Sequence, residues 1–205
     1  MKKIIRLVMG AFQTNTYVVI AADKAVVIDP AENAEIILDT LKTEGASLTH
    51  ILLTHGHFDH TSAVAALKNM TNAPIHIHEK DAPMLTDIEK SFAALMPSRW
   101  KPCQADVLLN DGDVISVTED LQFKIINTPG HSGGSSLYIV DDVMFSGDTL
   151  FAGSVGRIDG WSGNHYEQME SLEKIKALEG DYRVLPGHGD ETTLSIERRN
   201  NPFFT

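Results

Sequence analysis

The stretch THGHFDH, residues 54–60, decides how this chain is read. Four of the six positions from 55 to 60 carry side chains that can bind a metal: His55, His57, Asp59 and His60. Imidazole and carboxylate are ligands for borderline divalent ions. A lone histidine is usually a surface or core-rim residue, but four ligand-type residues packed this closely have little structural use. His55, His57 and Asp59 sit at alternate positions, so an extended loop points them the same way. His60 breaks the alternation and is expected to face elsewhere, which lets one short loop serve two adjacent ions.

Working outward, residues 49–53 (THILL) read as a strand leading into this loop, and a helix is expected over about 61–70. Three further polar segments follow apolar runs: TPGH (128–131), SGDTLF (146–151) and PGHG (186–189). Loops at strand ends are where a rigid scaffold presents reactive groups. Together the segments hold five of the nine histidines and give a simple count. One ion takes His55, His57 and His131; a second takes Asp59, His60 and His188; Asp148 bridges both. The other histidines are placed outside the site. His50 and His165 stand alone, and His76 and His78 alternate along one strand face that is expected to meet solvent.

The remainder alternates short strands with helices. Strand patterns occur at 2–8, 16–21, 25–28, 74–78, 107–109, 114–117, 123–127, 136–140, 143–145 and 183–185. A helix starts at Asn33 and stops at Gly45, with Ile36, Ile37 and Leu41 on one face. Another carries Tyr166, Met169, Leu172 and Ile175 on one stripe. Residues 80–103 read as irregular helix, and the tail ERRNNPFF as a last helical turn packed by Phe203 and Phe204. No linker divides the chain, and the pattern suits sheets with helices on their outer faces.

At 205 residues and 42% apolar composition, the chain can bury a real core. Its net charge of −11 repels phosphate backbones and argues against nucleic acid as a partner. The single cysteine, Cys103, can form neither an intrachain disulfide nor a thiolate cage, which fits a reducing, cytoplasmic setting. No apolar run approaches the ~20 residues that span a bilayer, so no membrane is expected. The oligomeric state is left open.

The four motifs, in this order and over nearly the whole chain, resemble those of the metallo-β-lactamase superfamily. GDTLFAGSVGRID (147–159) and TTLSIERRNNPFF (192–204) look like the short bacterial glyoxalase II-like hydrolases. The resemblance implies an αββα sandwich of two mixed sheets with helices outside and metals at one sheet edge. It implies one such domain over 1–205, without the C-terminal helical substrate domain of longer glyoxalase II enzymes. It also implies that Asp29, in VVIDP, supports the metal loop. The commonest zinc β-lactamases of the family place a cysteine where this chain has Asp148, which favours the bridging-carboxylate hydrolases. Arg157 follows SVG where glyoxalase II enzymes often have a lysine. It either grips a substrate carboxylate or pairs with a nearby acid.

The expected reaction is hydrolysis of a thioester such as S-D-lactoylglutathione by a hydroxide bridging two divalent ions. Zinc is the first expectation, and the same ligands admit iron or manganese. Asp59 is read mainly as a ligand and secondarily as a proton shuttle. The rival readings are a mono-iron persulfide dioxygenase, a lactonase and a metal-binding protein without catalysis.

Overall fold

A computed structural model describes residues 2–204. Two six-stranded sheets face each other. The first runs, in spatial order, β1 (Lys2–Met9), β2 (Thr14–Ala21), β3 (Lys24–Ile28), β4 (Ser47–Leu52), β5 (Ile75–His78) and β6 (Val107–Leu109). Its first three strands are antiparallel neighbours; β4, β5 and β6 then add in parallel, the first two through helical crossovers and β6 after a long irregular segment. In chain order the second half supplies β7 (Val114–Thr118), β8 (Leu121–Asn127), β9 (Ser136–Val140), β10 (Val143–Gly147), a small hairpin β11 (Leu150–Phe151) with β12 (Ser154–Val155), then β13 (Arg183–Pro186) and β14 (Thr192–Thr193). The second sheet has the order β14-β13-β10-β9-β8-β7, with β10 and β13 parallel and the rest antiparallel.

The period-2 alternation of these strands divides the core into layers. Tyr17, Val19, Val26, Ile28 and Leu52 pack between the sheets against Phe123, Ile125, Tyr138 and Phe145. Their neighbours Val18, Ile20, Val27 and Ile51 point outward, beneath α1 (Ala34–Thr43) and α3 (Val64–Thr71), where Ile37, Leu41, Val64 and Leu67 meet them. On the opposite face, Leu137, Ile139, Met144 and Val184 receive Leu172 and Ile175 of α4 (His165–Lys176) and Leu194 of α5 (Leu194–Asn200). Helix, sheet, sheet and helix are thus stacked, as expected. Among the described residues no helix is long and apolar enough to cross a membrane.

Several details differ from the sequence reading. The expected helix over 61–70 is two pieces: α2 (Phe58–Thr61), which begins inside the histidine motif, and α3. Residues 80–103 contain only two short 3₁₀ turns. The stripe on α4 is rotated: Tyr166 is exposed, while Gln168 and Ser171 join Leu172 and Ile175 on the buried face. Gln168 and Ser171 face the loop before β9, where Ser171 donates to the Pro129 carbonyl and Gln168 lies against Gly130, and the helix starts at an Asn164 cap. At the tail Phe204 is buried and Phe203 is exposed.

His76 and His78 are buried, not solvent-facing. They do share one face of β5, but β5 is an inner strand, and that face carries their partners Leu52 and Leu109 into the space between the sheets. His50 does not stand alone either; its ring centroid lies 5.2 Å from that of His76. Neither ring nitrogen of His76 has a hydrogen-bond partner among the described residues. Burial, and secondarily His50, pushes its pKa down to about 4. A depressed histidine pKa favours the neutral ring in the fold, so this stability is full above the unfolded value of 6.5 and is lost as pH falls through about 4. His76→Leu is therefore expected to match or exceed the parent in urea midpoint at pH 7. Its advantage is expected to widen between pH 6.5 and 4; parallel pH profiles for the two proteins would refute this account.

Candidate metal centre

Strand ends from both sheets converge on one edge of the sandwich. The loop after β4 carries His55 and His57, and α2 carries Asp59 and His60. The loop between β8 and β9 carries His131, the turn after β10 carries Asp148, and the loop after β13 carries His188. The seven residues picked out by the motifs all meet here. His55, His57 and His131 form one cluster of ligand atoms within 4.8 Å of one another, and Asp59, His60 and His188 form another. Asp148 lies between them: Oδ2 is 3.6 Å from His131 Nε2 and 3.5 Å from His188 Nε2, while Oδ1 is 3.3 Å from His60 Nε2. The expected alternation ends at His57. It is the start of α2 that turns Asp59 and His60 towards the second cluster.

Each imidazole offers one lone pair, and the partner of its other nitrogen decides which. His131 Nδ1 lies 2.6 Å from the carbonyl oxygen of Arg157, and His188 Nδ1 lies 3.1 Å from that of Phe12. A carbonyl only accepts, so both Nδ1 atoms carry the proton. His60 Nδ1 faces Asp29 Oδ2 at 3.0 Å. Thr54 Oγ1 donates to the same carboxylate at 2.6 Å, which leaves it to accept from His55 Nδ1 at 3.1 Å. Four histidines therefore turn the Nε2 lone pair inward. His57 presents Nδ1 instead, 2.9 Å from His131 Nε2.

The result is a set of acceptors aimed at one another. His131 Nε2 is 3.3 Å from His55 Nε2, and His60 Nε2 is 3.2 Å from His188 Nε2. Asp148 Oδ1 is buried with no hydrogen-bond partner among the described residues. Burial holds His55 well below the usual histidine range and brings His57 down to about 3. In the second cluster burial is outweighed by carboxylates. Asp148 and Asp59 raise His60, and hydrogen bonds that His188 donates to the same two raise it to about 9. Asp148 is itself held well below the carboxylate range, because His60, His188 and His131 overcome its desolvation. Such a centre asks for positive charge. Two protonated imidazoles at 3.2 Å would repel, whereas a divalent cation satisfies nitrogen lone pairs and carboxylates together, so the residues fit a metal.

The supports come from distant parts of the chain. Asp29, buried at the end of β3 with φ 49°, also accepts from the backbone of Thr54, which sets it beneath the loop that carries His55 and His57. Asn15 Nδ2 donates to the carbonyls of Pro186 and Gly189, and Asn15 N to that of Gly187, fastening the His188 loop to β2. On α4, Ser171 donates to the Pro129 carbonyl, and Gln168 fills the space that a side chain at Gly130 (φ 147°) would need. Gly187 is constrained by proximity: a Cβ there would strike Asp148 and His60. Thr54, Asn15 and Asp81 were not singled out from the sequence. A polar run such as QTNTY opening an otherwise apolar strand was the available signal for Asn15. Arg157 is exposed and forms two hydrogen bonds to Asp159, the second of its two expected roles. Its backbone carbonyl is what serves the centre.

The sequence model of the metallo-beta-lactamase superfamily matches residues 9–188. Among solved structures, BLEG-1, a B3 metallo-beta-lactamase, aligns over all of both chains at 36% identity with a TM-score of 0.91. The di-iron-bound form of TTHA1623 aligns over 97% of this chain and 99% of its own, at 34% identity and a TM-score of 0.84. Hydroxyacylglutathione hydrolase GloC of Haemophilus influenzae is 32% identical over 94% of this chain and 93% of its own length. The chain belongs to the metallo-β-lactamase superfamily of metallo-hydrolases.

Proposed function

We propose that the protein is a binuclear hydrolase of thioesters, of the hydroxyacylglutathione type. The observation that carries the binuclear reading is the position of Asp148, with one carboxylate within 3.6 Å of histidines from both clusters. In this reading His55, His57 and His131 hold one divalent ion and Asp59, His60 and His188 the other. Zinc is the first choice; the di-iron form of TTHA1623 keeps iron in view. Two ions so held supply an ionised water at neutral pH and polarise an acyl oxygen. The chain's own residues then set orientation. Asp29, Thr54 and the carbonyls of Arg157 and Phe12 keep the ring protons turned outward. Asp59 is assigned as a ligand, with Thr14 Oγ1 3.4 Å from its Oδ2. A departing thiolate, with a conjugate acid of pKa ~8.5, needs no strong general acid, and the inner faces of these histidines offer none once they bind metal.

The relationship to GloC supports the thioester, and the single cysteine, Cys103, agrees with a reducing cytoplasmic setting. The likeness to BLEG-1 favours a second reading, β-lactam hydrolysis. Against it stands the carboxylate at Asp148 in place of the cysteine that the commonest zinc β-lactamases carry. Metal analysis and rates on S-D-lactoylglutathione, an acyl-CoA thioester, a lactone and a chromogenic β-lactam, all from one preparation, decide between them. Two ions per chain and fastest turnover of a thioester are expected. One iron per chain with oxygen uptake on a persulfide would overturn the reading, and a fastest rate on the β-lactam would replace it with the second.

Two substitutions probe the ligands. Asp148→Ala removes the shared carboxylate and is expected to lower kcat/KM by at least ~10²-fold, because even partners behind the ligands contribute 10–100-fold. Both ions should bind less tightly. Asp59→Asn is expected to lower metal content at one of the two ions. Full metal content with collapsed kcat would instead mark Asp59 as the proton shuttle.

A further inference from the structure

Asp81 is a fully buried carboxylate outside both clusters. Among the described residues no lysine or arginine pairs with it, and a buried acid without a cation is costly unless its oxygens are satisfied. Burial does push its carboxyl above the usual range, against three hydrogen bonds that pull it down. It sits at the head of the 3₁₀ turn Ala82–Leu85 but does not cap it with its side chain. Its oxygens are used elsewhere. Oδ2 accepts from Gly56 N at 3.2 Å and from Ser132 Oγ at 2.6 Å, and Oδ1 accepts from Gly134 N at 2.7 Å. Gly56 lies between His55 and His57, and Ser132 follows His131. A Cβ on Gly134 would stand 2.7 Å from the carboxylate carbon, so that loop approaches as closely as it does only because position 134 is glycine.

We infer that Asp81 is a positioning residue: its carboxylate ties the His55–His57 loop to the His131 loop and so sets the spacing of the three-histidine ion site without touching an ion. The inference rests on the reading that this cluster holds a metal, and not on the thioester assignment. The second cluster is supported independently, by Asp29 behind His60 and by Asn15 behind the His188 loop. The carboxylate should therefore govern one ion and not the other. Asparagine cannot replace it, because an amide facing these three donors sets its own N–H against at least one of them.

The test is titration of metal-free protein with cobalt(II), followed by visible absorption, alongside the thermal midpoint of the metal-free protein. His131→Ala identifies which binding step belongs to the three-histidine site. Asp81→Asn is expected to weaken that step by about 10–100-fold and to leave the other within about threefold. Gly134→Ala, which displaces the carboxylate without removing it, is expected to act in the same direction. Ser132→Ala, which removes one of the three contacts, is expected to have a smaller effect on the same step, and it decides the matter if Asp81→Asn does not fold. Equal weakening of both steps, or a lowered thermal midpoint with cobalt binding unchanged, would reduce Asp81 to a structural residue and overturn the inference. Absence of cobalt uptake by the parent protein would sink the ion-site reading itself, and Asp81's role with it; rates on thioesters bear on neither result.

Discussion

The centre depends on one constraint: an imidazole has two nitrogens and can lend only one lone pair to an ion. Which one it lends is settled behind the ligand, where a carbonyl or a carboxylate takes the proton of the other nitrogen. Here that job falls to the Phe12 and Arg157 carbonyls, to Asp29 and to a threonine hydroxyl that Asp29 has already committed as a donor. The sandwich can be read as the apparatus that brings these acceptors to one edge. Asp29 ends β3, Thr54 follows β4, and Phe12 lies in the turn between β1 and β2. Asp29 and Thr54 are buried and hydrogen-bonded to each other, and the two carbonyls belong to the backbone, so each ring is held by a group that the fold itself fixes.

The ligands themselves were legible in the sequence for a chemical reason. Four ligand-type residues in six positions have few structural uses, so His55, His57, Asp59 and His60 stood out by spacing alone, while His131, Asp148 and His188 drew most of their weight from the order of the motifs and the family resemblance. Their supports did not. Asp81, Thr54 and Asn15 are ordinary polar residues, and each acquires meaning only when the fold sets a distant loop against it. The strand pattern gave the layers correctly because period-2 alternation is a local property. Alternation reports that two faces differ; it does not report which of them is wet. His76 and His78 were misplaced for that reason, since an inner strand of a sandwich has no wet face. Tyr166 was misplaced because helical periodicity reads apolar side chains, whereas the buried face of α4 includes two polar residues, Gln168 and Ser171, that meet the loop before β9.

Charge organises the two clusters differently. The three-histidine cluster is dry and holds His55 and His57 neutral through burial. The Asp59–His60–His188 cluster is carboxylate-rich, and its imidazoles attract positive charge. The two neighbouring clusters thus present unlike fields, one of neutral nitrogen donors and one of mixed nitrogen and anionic oxygen donors. Asp148 lies within 3.6 Å of histidines from both clusters and so belongs to both fields.

Asn15 fastens the second strand to the loop around His188, across 171 positions of chain. A growing chain holds the histidine motif early and gains this corner only once residues 186–189 have been made. The His188 corner of the centre therefore comes into being only when residues far apart in the chain have met. The integrity of this corner is in this sense a report on long-range folding.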